Sequence, residues 1–391
     1  MKFLIKYFLP QRYTKCLHKS VLRTCIKIST LCPFVHLLCN LVVKYNKKKV
    51  SSIYLQYIKN FRFYIFFALI TITGCEKNKF DIKLKKEIDI TVYRTDSILF
   101  TPPVDSVIKY IDVFYESYPD FADIYFTNVL SIGGRDSRYF TDYLKLFLSN
   151  PDFRECYDSV KLIFNSFDKK KNEIENAFNY LRYYLPDIQI PEIYTMMSGF
   201  NEPIIILNDA VGISLDKFLG TNSIFYQKLQ GHRYLHKRYN PDLISIEVVR
   251  SWIEYEYPNL DSIYNLANVM IYYGKIMYLM DAAFPKQPDY FKISYLPIEI
   301  TWAKNSEKHI WAYFIDKKLL FTTNEKEISR FINEVPYIQD FGTDSPGRVG
   351  IWMGWQIVRN YMNKNPEITI RELIENNDHQ TILLQSGYAP R

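Results

Sequence analysis

Apolar positions along this chain change period several times, and each change marks an element. In "EIDITVYR" Ile88, Ile90 and Val92 alternate with polar neighbours, a period of two that predicts a half-buried strand. From Ser106 to Tyr118 and from Thr141 to Asn150 the spacing is helical, and Pro119 and Pro151 stand as stops directly after the two stretches. "EPIIILND" is an unbroken aliphatic run closed by Asn208-Asp209, which predicts a buried strand. "SLDKFLG" opens on the capping-type Ser214 and closes at Gly220, enough for one or two helical turns. The clearest long helix spans Asp261 to Ala283, with Ile263, Leu266, Ala267, Met270, Gly274, Met277 and Tyr278 on one face. Another follows "DSPG", where Ile351, Gly354, Trp355, Val358, Tyr361 and Met362 keep the same spacing until Asn365-Pro366. No internal repeat or low-complexity linker interrupts the pattern, so one α+β domain, predominantly helical, is expected over residues 87–391.

The N-terminal part reads differently. Lys59 and Arg62 precede "FYIFFALITITGC", a positive region, an apolar region and small residues ending at Cys75, the parts of a secretory signal peptide over residues 59–74. The apolar stretch is shorter than the roughly 20 residues a spanning helix needs. Ile72-Thr73-Gly74-Cys75 resembles a bacterial lipobox, in which the cysteine is acylated with palmitate-type chains and becomes the new N-terminus. Cys75 is therefore the expected lipid attachment site, followed by a charged tether over residues 75–86. Residues 1–58 form a basic extension with no acidic residue. Translation is expected to begin near residue 50 to 60, at a codon other than Met, because no Met lies between Met1 and Met196.

This division changes the meaning of the charge. The chain has 391 residues, 49 Lys+Arg and 42 Asp+Glu, a formal charge of +7. Residues 1–74 hold 13 of the basic residues and none of the acidic ones, which leaves 36 basic against 42 acidic, a net −6. Without a basic surface, and with 33 tyrosines but no basic-aromatic stripe, nucleic acid is excluded as a partner. Only Cys156 follows Cys75, so the body must hold together by its core rather than by disulfides.

Candidate chemistry is sparse. There is no Walker loop, no Gly-x-Gly-x-x-Gly and no Gly-x-Ser-x-Gly. "SIGGRDSR" (131–138) reads as a turn with a solvated charge cluster, and in "EYEYP" Glu254 and Glu256 do not share a helical face, so a solvated helix end before Pro258 is expected. "GHRYLHKR" places His232 and His236 four apart, as in the zinc motif His-Glu-x-x-His. Arg233 stands where the glutamate would be, and His309 and His379 lack a Glu-bearing helix at the usual offset. A cation at the base position repels a divalent ion. No catalytic residue, no metal ligand and no cofactor is assigned, and the two histidines read as a pair on a basic surface turn.

The segments "SLDKFLG", "RYNPDLISIEVVRSWIEYEYP", "NLANVMIYYGKIMYLMDAAFP" and, most specifically, "GRVGIWMGWQIVRNYM" with "SGYAP" near the end resemble the gliding-motility lipoprotein GldB family from about Glu87 to Arg391. The resemblance implies an envelope lipoprotein required for gliding where gliding occurs and associated with machinery that includes type IX secretion. A more distant similarity is to zincin-type peptidases, whose metal helix would fall near Ile246 to Tyr255 and whose third ligand near Tyr272 to Lys275. "IEVVRSWIEY" and "YYGK" carry no ligand pair there, which implies a degenerate zincin-like scaffold. The expected function is that of a non-enzymatic, lipid-anchored component of motility or secretion machinery, with envelope proteins and the membrane as partners. "EKNKF" after Cys75 lacks an acidic export-type cluster, which favours the periplasm-facing side of the outer membrane. A peptide- or cell-wall-binding module with a peptidase-like cleft is the alternative, and an active metal hydrolase the third reading.

Overall fold

A computed structural model describes residues 79–80, 82–84, 86–229, 233–260 and 264–390. The basic extension, the signal-type stretch, Cys75, His232 and the first residues of the helix expected from Asp261 lie outside the described residues.

Strand β1 (Val92–Tyr93) opens the body. It is followed by helices α1 (Thr95–Phe100), α2 (Val104–Lys109), α3 (Ile111–Ser117), α4 (Pro119–Ile124), α5 (Phe140–Ser149), α6 (Pro151–Ile163) and α7 (Asp168–Tyr184). Strands β2 (Glu192–Met196), β3 (Ile204–Ile206) and β4 (Ala210–Ser214) complete a sheet of order β1-β2-β4-β3. β1, β2 and β4 are parallel, and β3 returns antiparallel to β4. Then come α8 (Ile224–Lys228), α9 (Ile244–Glu256), α10 (Leu266–Ala283), α11 (Asp289–Lys292), α12 (Pro297–Asp316), α13 (Glu325–Ile332), α14 (Val349–Lys364), α15 (Ile370–Glu375) and α16 (His379–Ser386). The fold is α+β and predominantly helical, as expected.

Several elements differ in detail from the sequence pattern. Ile88 and Ile90 are buried, but residues 87–90 join no ladder. The amides of Glu87 and Ile88 donate to Asn179 Oδ1, and that of Ile90 to Glu175 Oε1, so α7 side chains take the place of a neighbouring strand. The stretch 106–118 is broken at Tyr110 into α2 and α3. Pro119 and Pro151 begin the next helices instead of only ending the previous ones, because a first-turn residue needs no amide proton and Asn150 accepts from the amides of Asp152 and Phe153. β3 is a half-exposed edge strand, not a buried one. The fully buried strand is β4, which follows the Asn208-Asp209 turn and takes Ser214 as its last residue rather than as a helix cap. Only a 3-10 turn, Leu215–Lys217, follows it.

α10 is the centre of the helical part. Every residue of it except Tyr273 is buried, so it has apolar neighbours on all sides rather than along one stripe. Asn265 caps it by accepting from the amide of Asn268. α14 crosses it at Gly274 and Gly354, with backbone against backbone. A Cβ on Gly354 would stand 1.7 Å from the Met270 carbonyl oxygen, and one on Gly274 2.3 Å from the Gly354 oxygen. Neither contact can be relieved by moving a flexible side chain. Gly354→Ala is therefore expected to destabilise the protein by about 3 kcal/mol, the upper end of core overpacking. Chemical denaturation of the two proteins checks this; an unchanged midpoint would contradict the crossing.

Candidate functional site

The polar interior of the helical part is built on α9. Its Ile246, Val249 and Ile253 are buried in the apolar core, while Glu247, Arg250 and Glu254, spaced by three and four, share another face. Glu247 is the hub. Its Oε2 accepts from Arg238 Nη2 at 2.6 Å and from Arg250 Nη2, and its Oε1 accepts from the Ser294 hydroxyl at 2.8 Å. Arg348, the residue before α14, has a left-handed backbone (φ 60°) and donates through Nη1 to the Ile293 carbonyl at 2.8 Å. Lys237 bridges Glu299 at 2.9 Å and Glu334 at 2.8 Å, and Arg348 lies 3.8 Å from Glu334. Four cations thus face four carboxylates: Glu247, Glu254, Glu299 and Glu334.

Titration follows from this geometry. Burial alone would raise the Glu247 carboxyl, but the Arg238, Arg250 and Arg348 guanidiniums outweigh it and hold the group down to about 2. Burial lowers Arg250 to about 10 against the pull of Glu247. Glu254 is raised by burial despite Arg250 and Arg348, and it also influences Tyr272 and Tyr273 of α10. The two stretches singled out by the distant peptidase similarity, on α9 and around Tyr272 to Lys275, therefore meet in space. Glu254 is not the merely solvated helix end that "EYEYP" suggested.

Chemically, this centre holds charge in place. Glu247 and Arg250 have the spacing of the middle glutamate and second histidine of His-Glu-x-x-His, with Ile246 at the first ligand position. Arg250, three residues on, neutralises the carboxylate beside it. Among the described residues no group of three or more His, Cys, Asp or Glu could hold a metal ion.

The sequence candidates end up apart. His236 sits on a 3-10 helix (Arg233–Arg238), whose three residues per turn do not align positions four apart. Its ring lies 5.6 Å from those of Tyr226 and Tyr239, and burial, with Arg233 and Lys217 nearby, lowers its pKa. His309 is exposed beside Phe341, and His379 is buried at the start of α16. "SIGGRDSR" is a turn, with Gly133 at φ 89° and Arg135 paired to Asp112 at 2.9 Å, as read. Cys156 is free and buried, and burial raises its thiol.

Two polar centres were not read from the sequence. Arg359 forks onto Asp281 and Asp289 with four contacts of 2.7–2.8 Å, Lys292 donates to Asp281 at 2.7 Å, and Trp355 Nε1 donates to Asp281 at 2.9 Å. At the ends of β2 and β4, buried Asp216 accepts from the amides of Ser198 at 3.1 Å and Phe200 at 2.7 Å, and so holds Gly199 and Phe200 at positive φ. Neither has a sequence motif, because the partners lie between 11 and 78 residues away without a fixed spacing.

The Glu247 centre makes stability depend on acid. Its folded pKa lies below the unfolded value near 4.5, so the stabilisation is fully present above that value and is lost as pH falls towards about 2. The expected loss across this window is about 3 kcal/mol. Glu247→Gln should remove this part of the acid dependence and, by stranding three guanidiniums, cost about 3–5 kcal/mol at neutral pH. Denaturation midpoints between pH 7 and 2.5 test both; parallel curves for the two proteins would refute the assignment.

Comparison with known proteins adds one finding. A family model described as gliding motility protein GldB matches residues 76–390. No curated protein and no solved structure matches the chain.

Proposed function

From the premise that this chain belongs to the gliding motility protein GldB family, we propose that it is a non-enzymatic cell-envelope lipoprotein, anchored through Cys75, that supports gliding-motility or type IX secretion-linked machinery. The observation that carries the non-enzymatic part is Arg250, a buried guanidinium bonded to Glu247 where a metal ligand would have to be. Glu247, held by Arg238 and Arg250 with its pKa lowered, is a poor base for activating water. The anchor is supported by the order of positive, apolar and small residues before Cys75. No helix among the described residues is long and apolar enough to cross a membrane, which is compatible with attachment by acyl chains. The periplasm-facing side of the outer membrane is favoured by the absence of an acidic cluster after Cys75.

A second reading, an envelope module that binds peptides or cell-wall fragments, has its own support. β3 is a sheet edge next to α9, and Arg250 Nη1 is buried without a hydrogen-bond partner. Such a module would retain a muropeptide or peptide on purification.

Cys75→Ala is expected to move the protein from the membrane to the soluble fraction and to abolish palmitate labelling, while crosslinking of the parent protein in membranes captures envelope proteins. Metal analysis of the purified protein separates the readings further. Stoichiometric zinc that disappears in His232→Ala would restore the hydrolase reading and sink the non-enzymatic one.

A further inference from the structure

The chain settles onto the body very soon after Cys75. Lys79 donates to Asn363 Oδ1 at 3.3 Å, and Phe80 is buried, with its ring edge-on to Tyr184 (5.8 Å) and Tyr278 (5.4 Å). Lys79 lies over the Phe80 and Tyr278 rings at 5.3 and 5.0 Å. Further on, Tyr180 reaches the Ile82 carbonyl at 3.4 Å. The tether is thus fastened to α7, α10 and the end of α14.

Four residue steps separate Cys75 from Lys79, which at full extension span about 14 Å. A body of roughly 310 residues has a radius of gyration of about 20 Å. The leash is shorter than the radius of what it holds. Once acyl chains on Cys75 enter a bilayer, the body cannot turn its far side to the lipid, and the surface around Lys79 has to face it. The residues at that surface suit a lipid headgroup layer. Tyr183, beside the Tyr184 that Phe80 touches, is 60% exposed, and Lys83, next to the Ile82 that Tyr180 reaches, and Lys364, next to the Asn363 that Lys79 bonds, are exposed as well. Tyrosine favours the membrane–water boundary, and lysines are drawn to an anionic surface.

We propose that the face formed by Lys79, Lys83, Tyr183 and Lys364 rests on the lipid surface, so that the body lies against the membrane in one orientation instead of swinging from its anchor. This rests on acylation at Cys75. The Glu247 centre and the β3 edge would then keep a fixed position relative to the bilayer.

The test uses the mature acylated protein in vesicles containing anionic lipid. An environment-sensitive fluorophore is placed at Tyr183→Cys and, separately, at Leu146→Cys on α5, a helix that packs on α2 and α6 and whose Leu146 is exposed. Cys156 is buried and stays unlabelled. Lipid-borne quenchers should extinguish the Tyr183 probe and spare the Leu146 probe, while aqueous iodide does the reverse. If palmitate is incorporated and both probes are equally open to iodide, the membrane-resting face is wrong and the anchor stands. If no palmitate is incorporated, the anchor itself fails and this inference falls with it.

Discussion

The backbone contact between Met270 of α10 and Gly354 of α14, too close for any Cβ, sets the register on which the polar interior depends. Arg348 lies six residues before Gly354 and Arg359 five residues after it. At 1.5 Å of rise per residue the backbone positions of the two arginines, one just before the helix and one within it, stand about 16 Å apart. One enters the Glu247 centre, and the other forks onto Asp281 of α10 and Asp289 of α11. Side chains of ordinary size would hold the helices about 8–10 Å apart and move Arg359 outward from Asp281.

The charges themselves are poor evidence of stabilisation. Placing Glu247, Arg250 and Asp281 in the interior costs several kcal/mol of desolvation per ion, which their mutual attraction only offsets when every group is aligned. Their value is specificity: a slipped register leaves unpaired ions inside. The same alignment commits Glu247 and Arg250 of α9 to an ion-pair network with Arg238.

Much of the fold could be read from the chain. The two long apolar helices and the end of the aliphatic run at Asn208-Asp209 follow from periodicity and turn chemistry, and the family from C-terminal segments within the matched range. What could not be read depends on partners distant in sequence. Residues 87–90 alternate like a strand, yet Asn179 and Glu175 satisfy their amides, and no local pattern encodes this. α12 was missed because it buries only Ile300, Ala303, Ile310 and Phe314 along 20 residues, too thin a stripe to stand out. β4 was missed because all five of its residues are buried, which removes the alternation that marks a strand. On the site side, the spacing in "IEVVR" was visible, but that Arg250 turns inward onto Glu247 is a property of the packed helix alone.

The dependence of residues 87–95 on α7 and β2 also sets an order of events during synthesis. Those residues are made first, yet the groups that receive them, Glu175, Asn179 and Thr195, come 85 to 100 residues later. At about 5–20 residues per second that interval is of the order of 5–20 s. For that time the amides of Glu87, Ile88 and Ile90 lack the side-chain acceptors that the folded protein gives them, so this edge of the body closes only after α7 has been made.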